Sequence, residues 1–102
     1  MSDDNILGKL PILTKVHKRI LSLDQNIEFR FFPIYIRYVK NDSIFAILYF
    51  KNKELLELGL NIDNKPSNEF IEAKGMGYKE IKYKVLIDKK TNINKIFSFL
   101  KK

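Results

Sequence analysis

Three charged residues in the second half of the chain match the residue types of a metal-dependent nuclease site. Asp63 is followed by Glu72 and Lys74, which gives an acidic residue and then a Glu-x-Lys string. In restriction-type nucleases two such carboxylates hold Mg²⁺, and the lysine helps to orient the attacking water. Asp63 lies among asparagines and a proline, a composition typical of a loop rather than of the strand that such a site needs. Nuclease chemistry is therefore an alternative interpretation.

A second candidate is a glycine-containing loop. Its residues are Lys74, Gly75, Gly77 and Tyr78. A phosphate-binding glycine loop is followed by the N-terminus of a helix, which supplies N–H donors and a favourable dipole. Here an alternating, strand-like segment follows instead. The pattern therefore predicts a turn into that strand, and the four residues remain candidates for a binding loop.

Metal and thiol chemistry have little support in the composition. The chain contains a single histidine, His17, and no cysteine, so disulfides, thiolate metal sites and catalytic thiols are excluded. His17 lies beside the apolar stripe of a predicted helix, where a histidine is usually a boundary or partly buried residue. We therefore predict no metal site and no cofactor.

The elements that must position these residues follow from hydrophobic periodicity. Apolar residues at three- and four-residue spacing predict a first helix over Pro11–Leu23. Alternating residues then predict five strands, and a final apolar stripe after Thr91, the expected N-cap, predicts a closing helix. The predicted strands are Ile27–Phe32, Ile34–Lys40, Ile44–Phe50, Leu55–Leu60 and Tyr78–Ile87, with Asn41-Asp42 as a hairpin turn.

This order predicts an α+β fold, an antiparallel sheet of about five strands with the N-terminal and C-terminal helices packed on one face. The clean alternation in the first, second and fifth strands indicates that the other face, here called the open face, is partly solvated. Phe45 is expected on that face. So are the candidate binding residues, which are Tyr35, Arg37, Tyr49, Lys82 and Lys84.

Two kinds of partner suit such a face. Aromatic rings interleaved with basic side chains can stack on bases and hold phosphates, which predicts weak, salt-dependent nucleic-acid binding. The apolar residues on the same face could instead be covered by a second copy of the chain or by another protein. We favour the protein interface. A small-molecule site is a third class, because it requires a concave pocket that the sequence does not reveal.

Composition sets further bounds. The 102 residues are expected to form one domain, with residues 1–10 as a flexible arm. The net charge is +7, and all of it comes from the last 29 residues, which contain nine lysines, Glu80 and Asp88. A basic segment of this kind attracts polyanions. No apolar run is long enough to span a membrane, and the first residues do not resemble a signal peptide, so we expect a cytoplasmic protein without membrane contact.

Several strings together carry a family resemblance. They are a helix ending in ILSLD, a YIRY strand, the hairpin FAILYFKNKELLELGL, a G-x-G turn and a YKVLI strand before a last helix. Over about Leu13–Leu100 the chain resembles an uncharacterised small domain with a YdhG-like fold, loosely described as a predicted transport protein. That domain often lies C-terminal to restriction-type and other defence-linked nucleases. Gly75-Met76-Gly77-Tyr78 matches the family's Gly-His-Trp-Gly-like segment only in part, because the His and Trp are absent.

The resemblance implies no established catalytic residues. It implies a non-enzymatic accessory or interaction domain that contacts a protein partner or nucleic acid within a nuclease system. This is the function that we expect from the sequence.

Overall fold

The computed structural model describes residues 11–50, 54–73 and 77–100, and the predicted arm at residues 1–10 lies outside them. Two helices and six antiparallel strands are present in the described part. The helices are α1 (Pro11–Leu21) and α2 (Ile93–Leu100), and the strands are β1 (Ile27–Phe31), β2 (Tyr35–Lys40), β3 (Ser43–Tyr49), β4 (Leu56–Leu60), β5 (Ile71–Glu72) and β6 (Tyr83–Ile87). They form one sheet in the order β1-β2-β3-β4-β6-β5. The predicted α+β class is confirmed.

The two helices and one face of the sheet enclose a single main core. Helix α1 contributes Leu13, Val16 and Ile20, which are fully buried and lie on one side because helical residues three and four apart are neighbours. Helix α2 contributes Ile96 and Phe97 to the same cluster. From the sheet come Ile36, Tyr38, Ala46, Leu48, Leu56, Leu58, Leu60, Val85 and Ile87.

The hairpin between β2 and β3 turns at Asn41 and Asp42, as predicted. Both residues have positive φ, 52° and 66°, and Lys40 pairs with Ser43 on either side of the turn. Two consecutive positive φ values in a two-residue loop are the arrangement of a type I′ turn, whose twist matches that of antiparallel strands. Asn and Asp tolerate this region better than other side chains because they hydrogen-bond to nearby backbone groups.

The same hairpin contains an irregularity that the sequence did not predict. Tyr38 pairs with Ala46, but Val39 pairs with Ile44, so Phe45 is an extra residue in β3. Such a bulge reverses the alternation locally. Phe45 therefore packs against the main core, and its predicted place on the open face is wrong.

The last third of the sheet also differs from the prediction. Strand β6 begins at Tyr83 rather than Tyr78, and the irregular segment before it contributes a short additional strand, β5. Ala73 donates to the Lys82 carbonyl at 3.0 Å, which continues the pairing of β5 with β6. The sheet therefore has six strands instead of about five. Helix α1 ends at Leu21, two residues before the predicted end.

Asn92, rather than Thr91, caps helix α2. The Asn92 side-chain oxygen accepts from the Lys95 N–H at 3.1 Å, the bond expected of an N-cap residue. The Thr91 hydroxyl instead accepts from the Asp88 N–H and donates to the Asp88 carboxylate, which closes the turn before the helix.

His17 is part of the core, in line with its position beside the apolar stripe. Its side chain is 5% exposed, and a 2.7 Å hydrogen bond joins its Nδ1 to the Tyr38 hydroxyl. The Phe29 ring meets the imidazole edge-on, with 4.7 Å between ring centroids. Burial among these rings disfavours the charged imidazolium, so it lowers the pKa of His17 below 6.5.

This burial predicts a pH-dependent stability that depends on one residue. Because the pKa of His17 is lower in the folded chain than in the unfolded chain, the neutral form stabilises the fold above about pH 6.5 and that contribution is lost as the pH falls below it. We expect the wild type to lose stability between about pH 7.5 and pH 5.5 in urea unfolding. His17→Gln, which keeps a polar partner for Tyr38 but does not titrate, should remove most of that dependence. An unchanged pH profile in this variant would contradict the assignment.

Candidate functional site

The strand register decides which residues share the open face. One row across the sheet contains Arg30, Arg37, Ile47, Gly59 and Lys84, each opposite the next. The neighbouring row contains Tyr35, Tyr49, Glu57 and Leu86. The predicted orientation of Tyr35, Arg37, Tyr49 and Lys84 is therefore correct.

The chain covers the centre of this face itself. Ile47 is fully buried although it points away from the helices, because Ile81 and Tyr78 pack on it. The segment 77–81 turns back over the sheet, with a 3.2 Å hydrogen bond from the Ile81 N–H to the Tyr78 carbonyl. Regular alternation through the predicted strand Tyr78–Ile87, with Lys82 and Lys84 on the open face, would place Ile81 on the helix side. That expectation is wrong, since the strand begins only at Tyr83.

Five side chains meet beside this cover and form what we call the tyrosine–arginine cluster: Phe32, Tyr35, Arg37, Tyr49 and Tyr78. The Phe32 and Tyr35 rings are stacked, with centroids 4.6 Å apart and an angle of 8° between their planes. Tyr49 lies 5.1 Å from Tyr35 on the adjacent strand. All five side chains are partly exposed, so the cluster is accessible from solvent.

A hydrogen bond between two tyrosines organises the cluster. The hydroxyl oxygens of Tyr35 and Tyr78 are 3.0 Å apart. This bond raises the pKa of Tyr35 to about 12. The same bond lowers the pKa of Tyr78, and Arg37 lowers it further through a hydrogen bond and its positive charge. The two phenols therefore differ in acidity, with Tyr78 the more acidic of the pair.

Arg37 is the charged residue of the cluster. Its guanidinium carbon lies 5.0 Å from the centroid of the Phe32 ring, and that of Arg30 lies 5.4 Å from the same ring. These distances are typical of cation–π contacts. Among the described residues, no carboxylate forms an ion pair with either arginine. The Arg37 Nε is buried, and no described residue hydrogen-bonds to it.

The two lysines predicted for this site do not join the cluster. Lys84 binds Glu57 at 2.8 Å, and Lys82 binds Asp63 at 2.9 Å. Lys84 is also three strands away from Arg37, about 14 Å at the usual spacing of strands. The carboxylates neutralise both ammonium groups, so the positive charge available near the aromatic rings is that of the arginines.

The loop candidates divide in the same way. Tyr78 belongs to the cluster, and Gly77 lies next to it with a φ of 82°, where a side chain would be strained. A Cβ atom at Gly77 would lie 3.7 Å from the Tyr49 hydroxyl, so this turn approaches the cluster closely. Lys74 and Gly75 lie outside the described residues.

The nuclease candidates are placed separately. Asp63 lies in the connection after β4, paired with Lys82, while Glu72 lies exposed on the short edge strand β5. Lys74 lies outside the described residues. Within the described ranges, no group of three histidine or acidic side chains could hold a metal ion.

Phe32 and Arg30 are site residues that the sequence interpretation missed. The signal was present, because both share the alternation of the first strand that points away from Ile27 and Phe29. Phe32 is the last residue of the predicted strand, directly before Pro33, and the prediction assigns its ring to neither face of the sheet.

Comparison with known proteins adds no relative to this description. No protein-family model, no curated protein and no solved structure matches the chain. The resemblance to the small nuclease-associated domain therefore stays a prediction. Neither of the described helices has the length and apolar character required to cross a membrane.

The burial of Ile81 predicts that truncating its side chain destabilises the fold more than truncating an exposed isoleucine does. Ile81→Ala removes a side chain that is 3% exposed, and we expect it to lower the free energy of unfolding by about 2–4 kcal/mol. Ile71→Ala is the matched control at a position that is 46% exposed, where a loss below about 1 kcal/mol is expected. Equal effects in urea unfolding would show that segment 77–81 does not cover the sheet.

The tyrosine pair predicts a measurable coupling. In Tyr35→Phe the phenol that hydrogen-bonds to Tyr78 is lost, and since this bond is the main cause that lowers the pKa of Tyr78, that pKa should rise. ¹³C NMR with tyrosine labelled at Cζ resolves each ring and follows its ionisation. A Tyr78 titration that is the same in wild type and variant would argue against the hydrogen bond.

Proposed function

We propose that this chain is a non-enzymatic interaction domain that binds unpaired nucleotides through the tyrosine–arginine cluster. The observation that supports the proposal most directly is the stacked pair of Phe32 and Tyr35 with two guanidinium groups over the Phe32 ring. Single-stranded nucleic acids are bound by this combination, since aromatic rings stack on bases of any sequence and arginines hold phosphates or stack on the bases themselves.

The electrostatic arrangement supports the same ligand. Four lysines in the described residues already have carboxylate partners, at Asp24, Glu57, Asp63 and Glu69. Arg30 and Arg37 have none there, so a phosphate would not have to displace an existing ion pair. Arginine also presents a planar fork of donors that fits phosphate oxygens in pairs.

The buried Nε of Arg37 is a further argument. A buried donor without a partner costs about 1–3 kcal/mol. A phosphate or base acceptor at the cluster would supply a hydrogen bond that no described residue makes with this Nε, and would offset part of that cost. A buried donor of this kind favours ligands that carry hydrogen-bond acceptors over purely apolar partners.

The self-covered open face changes the balance between the partners considered from the sequence. Ile47 and its apolar neighbours already pack against segment 77–81, so less apolar surface is left for a protein partner on this face. We retain from the sequence the cytoplasmic location and the association with a nuclease system as parts of the proposal, since an accessory domain that contacts nucleic acid suits such a system.

The proposal predicts binding of labelled single-stranded oligonucleotides in fluorescence anisotropy titrations. Binding should weaken as salt rises, because phosphate contacts release counterions. Phe32→Ala and Arg37→Gln should each weaken it by roughly 5- to 100-fold, the range that loss of one stacked base gives. Lys89→Gln removes an exposed lysine in the turn after β6 and is the matched control, with little change expected.

Three results would contradict the proposal. One is no binding at low salt with protein in the tens of micromolar, roughly the weak end of non-specific nucleic-acid affinity. Another is binding that Phe32→Ala and Arg37→Gln leave unchanged, which would place the contact elsewhere. The third is cleavage of the oligonucleotide with Mg²⁺ that Glu72→Ala abolishes, which would favour the nuclease alternative.

A further inference from the structure

Strand β1 is an edge of the described sheet, and one side of its backbone does not face another strand of that sheet. The Phe32 N–H donates to the Tyr35 carbonyl at 2.8 Å, next to the pairing of Phe31 with Ile36. Hydrogen-bonded pairs in antiparallel strands recur at every second residue. The even-numbered residues of β1 therefore face β2, whereas the N–H and C=O groups of Ile27, Phe29 and Phe31 point away from the sheet.

Only one of these outward groups has a partner in the part of the chain that the structure describes. The Ile27 N–H donates to the Asp24 carbonyl at 3.4 Å, a long bond. No described residue bonds to the outward groups of Phe29 and Phe31. The Phe29 side chain is 45% exposed, the second-largest exposure among the large apolar residues described. An added strand can pair with backbone N–H and C=O groups that have no partner, and the exposed aromatic ring beside them offers it a side-chain contact.

The sequence of β1 is complementary to its own antiparallel copy. In an antiparallel pairing centred on Phe29, a residue before Phe29 lies opposite the residue of the second copy that follows Phe29 by the same number of positions. Phe29 then lies opposite Phe29 of the second copy, and Ile27 lies opposite Phe31. Glu28 lies opposite Arg30 of the second copy on the open face, and the twofold axis repeats this pair. All cross-strand neighbours are thus apolar pairs or opposite charges, the combinations that stabilise antiparallel sheets.

The register also agrees with the hydrogen bonds. Phe29 and Phe29 of the second copy would exchange two backbone hydrogen bonds, because the N–H and C=O of this residue both face outward. The Phe31 N–H would reach the Ile27 carbonyl of the second copy, to which no described residue donates. A shift by one residue would place Phe29 opposite a charged side chain and turn inward-facing groups toward the interface, so this register is selected over its neighbours.

We infer that β1 is a homodimerisation edge, which joins two copies of the chain into one continuous twelve-stranded sheet through antiparallel pairing centred on Phe29. The added strand is a second copy of β1 rather than an arbitrary strand. In the antiparallel pairing, Glu28 of each copy lies opposite Arg30 of the other, so the opposite charges meet at both positions. An edge protected against pairing carries charges of one sign, typically lysines, that repel a copy. β1 contains no lysine, and its two charges cancel.

Charge reversal tests the register by sedimentation velocity from about 1 to 300 µM, which brackets the micromolar affinity of a small interface. Arg30→Glu makes both cross-strand pairs acidic and Glu28→Arg makes both basic, so each variant alone should weaken dimerisation at least about tenfold. An equimolar mixture restores opposite charges at both positions and should form a heterodimer. Lys89→Glu makes the same change of net charge as Arg30→Glu in a distant turn and should dimerise like the wild type.

Phe29→Pro tests the backbone bonds independently of charge. It removes the outward N–H, which no described residue uses, and a proline is tolerated at such an edge position. Circular dichroism should show a folded chain that is monomeric over the same range. A wild type that stays monomeric throughout overturns the inference. So does a dimer that survives both Arg30→Glu and Phe29→Pro, and so does a mixture of the two charge variants that forms no heterodimer.

Discussion

The hydrogen-bond register of the central hairpin is the constraint on which both faces of this sheet depend. The two-residue turn at Asn41 and Asp42 fixes the pairing of Lys40 and Val39, and the bulge at Phe45 then shifts the pairing of Tyr35–Tyr38 by one residue. A shift by one residue would exchange the two faces of a strand. Tyr38 would then leave His17 and the core, and Arg37 would enter it. The position of the tyrosine–arginine cluster is therefore a consequence of the turn as much as of the aromatic residues themselves.

A second constraint is that Ile47 requires cover on the side without helices. A fully buried aliphatic side chain contributes about 1.5–3 kcal/mol when it is removed from water, so a small domain gains from closing over it. Segment 77–81 does so with Ile81 and Tyr78, and Gly77 permits the turn that brings them there. The same segment delivers the Tyr78 hydroxyl to Tyr35. Packing and site geometry thus have a common origin, because the residues that bury Ile47 also complete the cluster.

Most of the fold followed from the sequence because strands β1, β2 and β6 alternate regularly and both helices have clear apolar stripes. The failures arise where one residue interrupts a period. The bulge at Phe45 adds a residue to β3 without any glycine or proline to mark it, and alternation alone then puts Phe45 on the wrong face. Ile81 continues the odd-numbered pattern of β6, yet the turn before Tyr83 reverses its direction. Lys82 and Lys84 are candidate binding residues in the sequence analysis, but their partners Asp63 and Glu57 are distant in sequence, so these ion pairs could not be inferred.

The edge pairing and the cluster act on one surface. A twofold axis perpendicular to the sheet keeps corresponding faces on the same side, so in the proposed dimer the helices of both copies would cover one side and both clusters would open on the other. Two weak sites on one surface bind a single extended strand more tightly than either alone, provided that the strand spans them. Arg30 has a part in both arrangements, since it meets Glu28 of the second copy and lies near Phe32. Dimerisation would draw its charge toward that glutamate, so Arg37, whose buried Nε has no hydrogen-bond partner among the described residues, is the guanidinium that we propose for the nucleotide.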